Sequence, residues 1–171
     1  MVSPLETDAN IDDLDLARAY ATAAAVLDPE VPVLTLADLG VLRSVTRRDG
    51  AIVVKLTPTY TGCPATAVIQ LNVETALLEA GIHNARVETV LSPPWTTDDL
   101  TSAGRAKLKA YGIAPPGGGA PGALFESEIV PCPKCNSLHT TKISEFGSTA
   151  CKAQWRCDNC REPFDYFKCH R

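Results

Sequence analysis

Two Cys-x-x-Cys pairs near the carboxyl end restrict most strongly what this chain can fold into. Cys132 pairs with Cys135, Cys157 pairs with Cys160, and 21 residues separate the two pairs. Each pair can offer two sulfurs to one ion, and the intervening segment is long enough for a hairpin that joins the pairs. The spacing predicts a zinc ribbon in which four thiolates hold a tetrahedral Zn²⁺. A redox dithiol is the weaker interpretation, because no βαβ pattern surrounds the motif. A rubredoxin-like iron site uses the same ligands and stays an open alternative.

The remaining sequence suggests where these thiols reside. The first residues lack the basic start and apolar stretch of a secretory signal, and no apolar run reaches the roughly 18 residues of a membrane span. We therefore expect a cytoplasmic protein with reduced thiols and no membrane partner. With 16 basic and 20 acidic residues, the chain lacks the bulk positive charge that attracts phosphates, so we expect no nucleic-acid partner.

A segment rich in Pro and Gly, residues 114–122, divides the chain. Neither residue type supports a helix interior or a strand ladder, so the segment is predicted to be a linker. We expect one domain over residues 1–113 and the ribbon over residues 123–171. A domain of about 45 residues buries too little surface to fold securely alone, so the metal should supply most of its folding free energy. Its aromatic residues are predicted to form its core and its contact with the first domain: Phe125, Phe146, Trp155, Phe164, Tyr166 and Phe167.

The first domain shows the pattern of a small α/β fold. Its first helix, over residues 13–27, carries an apolar face predicted to comprise Leu14, Ala17, Ala21, Ala24 and Ala25. Two strands around Asp49-Gly50 form a hairpin signal, and a crossover helix leaves the third strand parallel to its neighbour. We predict an α+β-like three-stranded sheet with three helices. The elements after the first helix are strands over residues 41–45, 51–56 and 86–91 and helices over residues 64–80 and 102–111.

Cys63 lies in the loop between the second strand and the crossover helix. At a helix start, free N–H groups and the positive end of the helix dipole favour a thiolate. Loops beyond the carboxyl ends of strands are also where α/β sheets tend to bind ligands. Cys63 is therefore a candidate reactive residue. A small buried apolar residue is the alternative interpretation, and the threonines of the loop, including Thr61, can equally be turn or cap residues.

Two segments rich in proline stand out for their functional side chains. Asp28-Pro29-Glu30 places two carboxylates around a rigid Pro, and Trp95 follows Pro93-Pro94 in a stiff turn in which we expect an exposed indole. A helix stop explains the first segment equally well, and a capped helix start explains the second.

Together these segments resemble the SufT-like family of iron–sulfur cluster assembly factors. The resemblance covers about residues 12–112 and implies a small α/β fold that delivers iron–sulfur clusters to client proteins. It also implies that Cys63 is the reactive residue, with Thr61, Asp28, Glu30 and Trp95 as its neighbours. A low-pKa thiolate that binds iron transiently would suit this role. The segments are Asp28-Pro29-Glu30-Val31-Pro32, Asp38-Leu39-Gly40-Val41-Leu42, Thr61-Gly62-Cys63-Pro64 and Pro93-Pro94-Trp95-Thr96.

Cys151 and Cys169 exceed the four ligands that one zinc ion needs. The segments that contain them, residues 146–153 and 162–169, resemble the carboxyl-terminal part of the SufT-like subunits of phenylacetyl-CoA epoxidase systems. This resemblance implies an accessory protein that helps to mature the metal centres of a multicomponent oxygenase, above all the iron–sulfur cluster of its reductase. It does not fix the role of Cys151 or Cys169, which are secondary candidates for a transient iron or cluster site.

These inferences favour a non-catalytic maturation factor. Zinc is its expected resident cofactor, and iron or an iron–sulfur cluster is its transient cargo. Reductase or oxygenase subunits are the expected clients, and an apolar face with an exposed edge strand suggests a homodimer. An integral non-catalytic subunit and a zinc-ribbon interaction module are the alternatives. The sequence lacks the carboxylate and His pairs of a di-iron core and the Gly-rich loop of a dinucleotide site, which argues against catalysis.

Overall fold

A computed structural model of the chain describes residues 14–117 and 129–168. Its contacts form two units that divide between Trp95 and Thr96. None of the helices in these ranges is long and apolar enough to cross a membrane. The first unit contains α1 (Leu14–Ala25), α2 (Leu36–Leu39), β1 (Leu42–Arg48), β2 (Ala51–Leu56), α3 (Thr66–Glu79) and β3 (Ala85–Thr89). The second contains a 3₁₀ helix (Thr97–Asp99), α4 (Ser102–Tyr111), β4 (Ile113–Ala114), β5 (Thr140–Ser144), β6 (Lys152–Cys157) and β7 (Pro163–Phe167).

The first unit contains the predicted three-stranded sheet, in the order β1-β2-β3. Strands β1 and β2 are antiparallel, and their turn places Asp49 (φ 52°) and Gly50 (φ 79°) in the left-handed region that a tight hairpin requires. Helix α3 carries the chain across the sheet, so β3 pairs parallel with β2. The predicted fold class and topology are confirmed.

Helix α1 buries a different face from the predicted one. Leu16, Ala19 and Ala23 are buried, whereas Leu14 is 75% exposed. The predicted face that begins at Leu14 is therefore wrong. Alanines occur on several sides of this helix, so apolar residues recur at helical spacing on more than one face. Periodicity alone therefore does not identify the buried face.

A short fourth helix, α2, adds to the three helices that were predicted. Thr35 caps it: the Asp38 N–H donates to Thr35 Oγ1 at 3.1 Å, and the Thr35 N–H donates to Asp38 Oδ2 at 2.9 Å. Gly40 ends the helix in the left-handed conformation, with φ 69°. The helix is one turn long, which is too short to produce a periodic pattern in the sequence.

The second unit is a four-stranded sheet in the order β4-β7-β6-β5. Strand β4 pairs parallel with β7, so Ala114 lies opposite Tyr166. Helix α4 spans the predicted residues, and its Arg105 guanidinium donates to the carbonyl of Pro116. Residues 114–116 are thus held within this unit, so the predicted linker starts too early, and the units divide before α4 rather than after it. Residues 118–122 of that linker lie outside the described ranges.

Four of the six aromatic residues predicted for the ribbon core are buried: Trp155, Phe164, Tyr166 and Phe167. The Trp155 and Tyr166 rings meet edge to face, with centroids 6.2 Å apart. Phe146 is 56% exposed, so it does not belong to this core. Its ring instead lies under the Lys168 ammonium, at 4.4 Å from the centroid. Phe125 lies outside the described residues.

Candidate functional site

The structure brings the four cysteines of the two Cys-x-x-Cys pairs together. Their Sγ atoms all lie within 4.8 Å of one another. Cys132 Sγ is 3.8 Å from Cys160 Sγ, and Cys135 Sγ is 3.6 Å from Cys157 Sγ. Zn–S bonds of about 2.3 Å in a tetrahedron place the sulfurs about 3.8 Å apart. The donor set and its spacing therefore fit one tetrahedral ion held by four thiolates.

Both pairs of cysteines adopt the same backbone loop. In each, the residue after the second cysteine has a positive φ, 59° at Asn136 and 64° at Arg161. In each, the N–H of the first cysteine donates to the carbonyl five residues further on, at 2.9 Å. The repeated turn points the two sulfurs of a pair toward one centre, although the residues between the cysteines differ.

The Sγ atoms of Cys135 and Cys157, 3.6 Å apart, are too close for both thiols to ionise without a cation. Backbone N–H groups of Cys160 and Asn159 lower the pKa of Cys157 to about 6, against the opposing effect of desolvation. The N–H of Ser137 lowers the pKa of Cys135, but desolvation and the neighbouring cysteines outweigh it and raise that pKa to about 12. A divalent cation removes this conflict by compensating the negative charges, so the cluster is built for a metal ion.

A cation beside the cluster was not singled out from the sequence. The Lys134 ammonium lies 2.9 Å from Glu162 Oε2. The Glu162 carboxylate raises the pKa of Lys134, and Cys160 and Cys132 raise it to a smaller extent. Positive charge near four thiolates offsets the net negative charge of a zinc tetrathiolate. The signal in the sequence was the position of Lys134 inside the first cysteine pair.

Of the two additional cysteines of the ribbon, Cys151 and Cys169, the structure describes only Cys151. Cys151 is buried, and its Sγ lies 3.0 Å from Thr149 Oγ1. It does not join the four-cysteine group that the described residues form. Cys169 lies outside the described ranges. A transient metal site at either residue stays a prediction.

Cys63 lies in a turn that joins β2 to α3. The Cys63 N–H donates to the Tyr60 carbonyl at 3.2 Å. The Cys63 carbonyl accepts from the Thr66 N–H at 3.3 Å and from Thr66 Oγ1 at 2.9 Å. Helix α3 begins at Thr66, two residues later than predicted. The turn is thus fixed to the start of α3, and Cys63 keeps a half-buried side chain.

The predicted low-pKa thiolate at Cys63 is wrong. Burial raises the pKa of the Cys63 thiol, and the Glu30 and Asp28 carboxylates raise it further. The N–H of Ala65 and the hydroxyl of Thr66 lower this pKa, but they do not compensate. The surroundings of this half-buried side chain therefore favour the thiol over the thiolate.

Asp28 shapes the segment that carries Glu30. Asp28 is 8% exposed, and its Oδ1 accepts the N–H groups of Glu30 at 2.8 Å and Val31 at 2.7 Å. The side chain of Glu30 is half-buried, and both carboxylates act on the Cys63 thiol. The structure thus brings two of the predicted neighbours into the electrostatic environment of Cys63. Thr61 is exposed in the same turn as Cys63.

Trp95 is a core residue of the first unit rather than an exposed indole. It is 4% exposed, and its Nε1 donates to the Leu39 carbonyl at 2.7 Å. The exposed indole predicted from the Pro93-Pro94 turn is wrong, because the partner of the ring is distant in sequence. Trp95 joins the chain after β3 to the end of α2.

The raised pKa of Cys63 leads to a testable pH dependence. Only the thiolate attacks iodoacetamide, so we expect Cys63 to react more slowly than a free cysteine at pH 8 and to accelerate at higher pH. Glu30→Gln removes a charge that raises the pKa and should speed alkylation at pH 8 about threefold. Mass spectrometry of the Cys63 peptide measures the rate, with Glu79→Gln as the control for an exposed carboxylate. An unchanged rate in Glu30→Gln would contradict the assigned environment.

Family models match both parts of the chain. The model of the "Iron-sulfur cluster assembly protein" family matches residues 19–91, and the "PaaD zinc beta ribbon domain" model matches residues 118–168. The chain is 51% identical over 150 residues to an Escherichia coli (strain K12) protein that is named as a subunit of "Putative 1,2-phenylacetyl-CoA epoxidase". That match covers 88% of this chain and 90% of its relative.

Solved structures resemble about half of the chain. A domain of unknown function, DUF59, from Bacillus anthracis is 27% identical, with a TM-score of 0.51, and the match covers 55% of this chain and 91% of that domain. A conserved hypothetical protein from Thermotoga maritima is 26% identical, with a TM-score of 0.45 over 54% of this chain and 91% of that protein.

Proposed function

This chain belongs to the PaaD family of phenylacetyl-CoA epoxidase subunits, and we propose that it is a maturation factor that inserts an iron–sulfur cluster or iron into that epoxidase complex. The client in this proposal is the reductase component. One observation carries the proposal. Cys63, the single cysteine in the region that matches the assembly family, is half-accessible and is fixed at the start of α3. The charges of two carboxylates act on its thiol.

The surroundings of Cys63 suit a sulfur that holds its cargo briefly. Iron binding requires the thiol to lose its proton, and the protein environment favours the protonated form. When a thiol of the client replaces Cys63 on the iron, the Fe–S bond to Cys63 breaks and a new one forms to the client sulfur. The proton that the client thiol gives up balances the one that Cys63 takes back. No electron is transferred, so the exchange needs no oxidant or reductant.

The zinc ribbon has a structural part in this proposal. Cys132, Cys135, Cys157 and Cys160 would hold one Zn²⁺, which supplies folding free energy to the second unit when it is bound. A closed set of four thiolates leaves no open coordination position for chemistry on a substrate. We therefore assign the maturation role to the first unit and a structural role to the ribbon.

The test measures metal insertion into the client. The epoxidase reductase is produced with the wild-type chain, with Cys63→Ala, or without this chain, and its iron, sulfide and visible absorption are compared. We expect the wild type to give a reductase that contains iron and sulfide. We expect Cys63→Ala to give a reductase with as little iron and sulfide as the one produced without this chain. Leu14→Ala, which shortens a side chain that is 75% exposed in the first unit, should leave the iron and sulfide content of the reductase at the wild-type level.

Two results would overturn the maturation role. A filled reductase with Cys63→Ala would reduce the chain to an interaction module. A rise in turnover on adding this protein to an already matured epoxidase would instead make it an integral subunit. Wild-type protein that leaves that turnover unchanged supports an assembly factor.

A further inference from the structure

Helix α3 exposes apolar side chains on the face that points away from its own unit. Val68 is 46% exposed, Leu71 is 60% exposed and Leu78 is 53% exposed, whereas Val73 and Leu77 are buried. A surface helix usually carries polar residues on its outer face. This arrangement leaves α3 with a second apolar face that nothing in the described residues covers.

The exposed side chains lie in one straight row. Together with the exposed Thr75, they follow the spacing i, i+3, i+7 and i+10 along α3, and we call Val68, Leu71, Thr75 and Leu78 the α3 seam. At 3.6 residues per turn, the seam lies about 160° around the helix axis from the buried face. The alternation of three and four residues is the pattern by which one helix packs along another. The seam therefore fits a partner helix better than a flat or irregular surface.

The charges beside the seam indicate the chemistry of that helix. Glu74 and Glu79 are exposed on opposite sides of the seam, and α3 contains no Lys or Arg. Packing two copies of α3 against each other would set carboxylates against carboxylates, which is unfavourable. A helix with basic residues flanking its apolar row complements the seam instead.

The size of the seam indicates a short-lived complex. Helix α3 has 14 residues, so it is about 21 Å long and about 10 Å wide, a footprint of roughly 200 Å². Stable interfaces bury about 800 Å² on each partner. A contact through the seam alone would be transient, as a factor that must release each client requires.

The seam leads directly to Cys63. The Thr66 N–H and hydroxyl both bond to the Cys63 carbonyl, so the turn and the first residues of α3 form one fixed piece of backbone. Val68 is the seam residue nearest to this turn in sequence. A helix lying on the seam would therefore bring its parent protein close to the turn that carries Cys63.

We propose that the α3 seam is the client-docking surface and that it binds an amphipathic helix of an epoxidase component whose apolar row is flanked by Lys or Arg. This inference rests on the proposed maturation role, because it names the surface that holds the client.

Site-specific photo-crosslinking identifies the occupant. A photoreactive phenylalanine analogue replaces Leu71 in the full chain, which is produced together with all the epoxidase components. We expect a crosslink to an epoxidase component, mapped to a helix with basic flanks. The same analogue at Leu27, which is 50% exposed outside the helices, should give none. A crosslink from Leu71 to a second copy of this chain, or no crosslink, would overturn the proposal.

Binding measurements separate docking from cargo transfer. Leu71→Lys should weaken binding to the purified epoxidase components about tenfold or more, and Glu74→Lys with Glu79→Lys should also weaken it, while Leu27→Lys should not. Cys63→Ala should bind like the wild type yet fail to fill the reductase. Normal binding by Leu71→Lys would overturn the docking surface and leave the maturation role standing. Normal filling by Cys63→Ala would overturn the maturation role even if the crosslink forms.

Discussion

Removal of zinc is expected to unfold the second unit and leave the first unit folded. Cys132 and Cys157 belong to the same buried cluster as Trp155 and Tyr166, so the metal ligands are part of the core itself. Structural zinc sites contribute about 10–16 kcal/mol of apparent binding free energy, which is as large as the stability of a whole domain. The sheet around the cluster cannot persist without that contribution.

The chain contains one tryptophan in each unit, and both are buried, Trp95 at 4% and Trp155 at 5% exposure. In Trp95→Phe, the fluorescence of Trp155 reports on the ribbon alone. We expect a chelator to release one zinc per chain and to shift this emission to longer wavelength. Cys157→Ser should show the shifted emission from the start. Cys63→Ser should keep both the zinc and the original emission.

Two outcomes would contradict this prediction. An unshifted Trp155 emission after complete loss of metal would mean that the ribbon folds without it. Stoichiometric iron in place of zinc in the purified protein would assign the cluster to a rubredoxin-like site.

Trp95→Ala is expected to lower the free energy of unfolding of the first unit by about 4 kcal/mol. Truncation of a buried Trp costs about 3–5 kcal/mol because it removes apolar contacts and leaves a cavity. The substitution also removes the 2.7 Å hydrogen bond to the Leu39 carbonyl. Trp95→Phe keeps much of the packing but leaves that carbonyl unpaired, so we expect a loss of about 1–3 kcal/mol.

Urea unfolding followed by circular dichroism measures both losses. Leu27→Ala is the control, because this side chain is 50% exposed and surface substitutions usually stay within about 0.5 kcal/mol. A loss in Trp95→Ala no larger than that of the control would show that Trp95 does not hold this unit together.

Features set by local chemistry could be predicted from the sequence. The spacing of Cys132, Cys135, Cys157 and Cys160 was enough to predict the cluster, because each pair folds into its own turn. The Asp49-Gly50 hairpin is also encoded locally. The parallel placement of β3 followed from the handedness and length of the crossover through α3.

Features set by distant partners could not be predicted. Trp95 is buried because Leu39 accepts its N–H from 56 residues away. The pKa of Cys63 is raised by its burial and by carboxylates from the Asp28–Glu30 segment, which outweigh the helix start that the sequence displays. Strand β4 pairs with β7, which lies about 50 residues further along the chain. In the sequence, α4 and β4 therefore resemble the end of the first domain, although they belong to the second unit.

The position of β4 determines how much of this chain can be exchanged as a single piece between proteins. The family model of the ribbon begins at residue 118, but a fragment that starts there would lack α4 and would lack β4, one of the two strands that pair with β7. An exposed edge strand with unpaired backbone N–H and C=O groups can pair with strands of other chains. Recombination that preserves the ribbon should therefore carry the preceding helix along, from about Thr96, and chimeras joined within the glycine run would inherit an incomplete sheet.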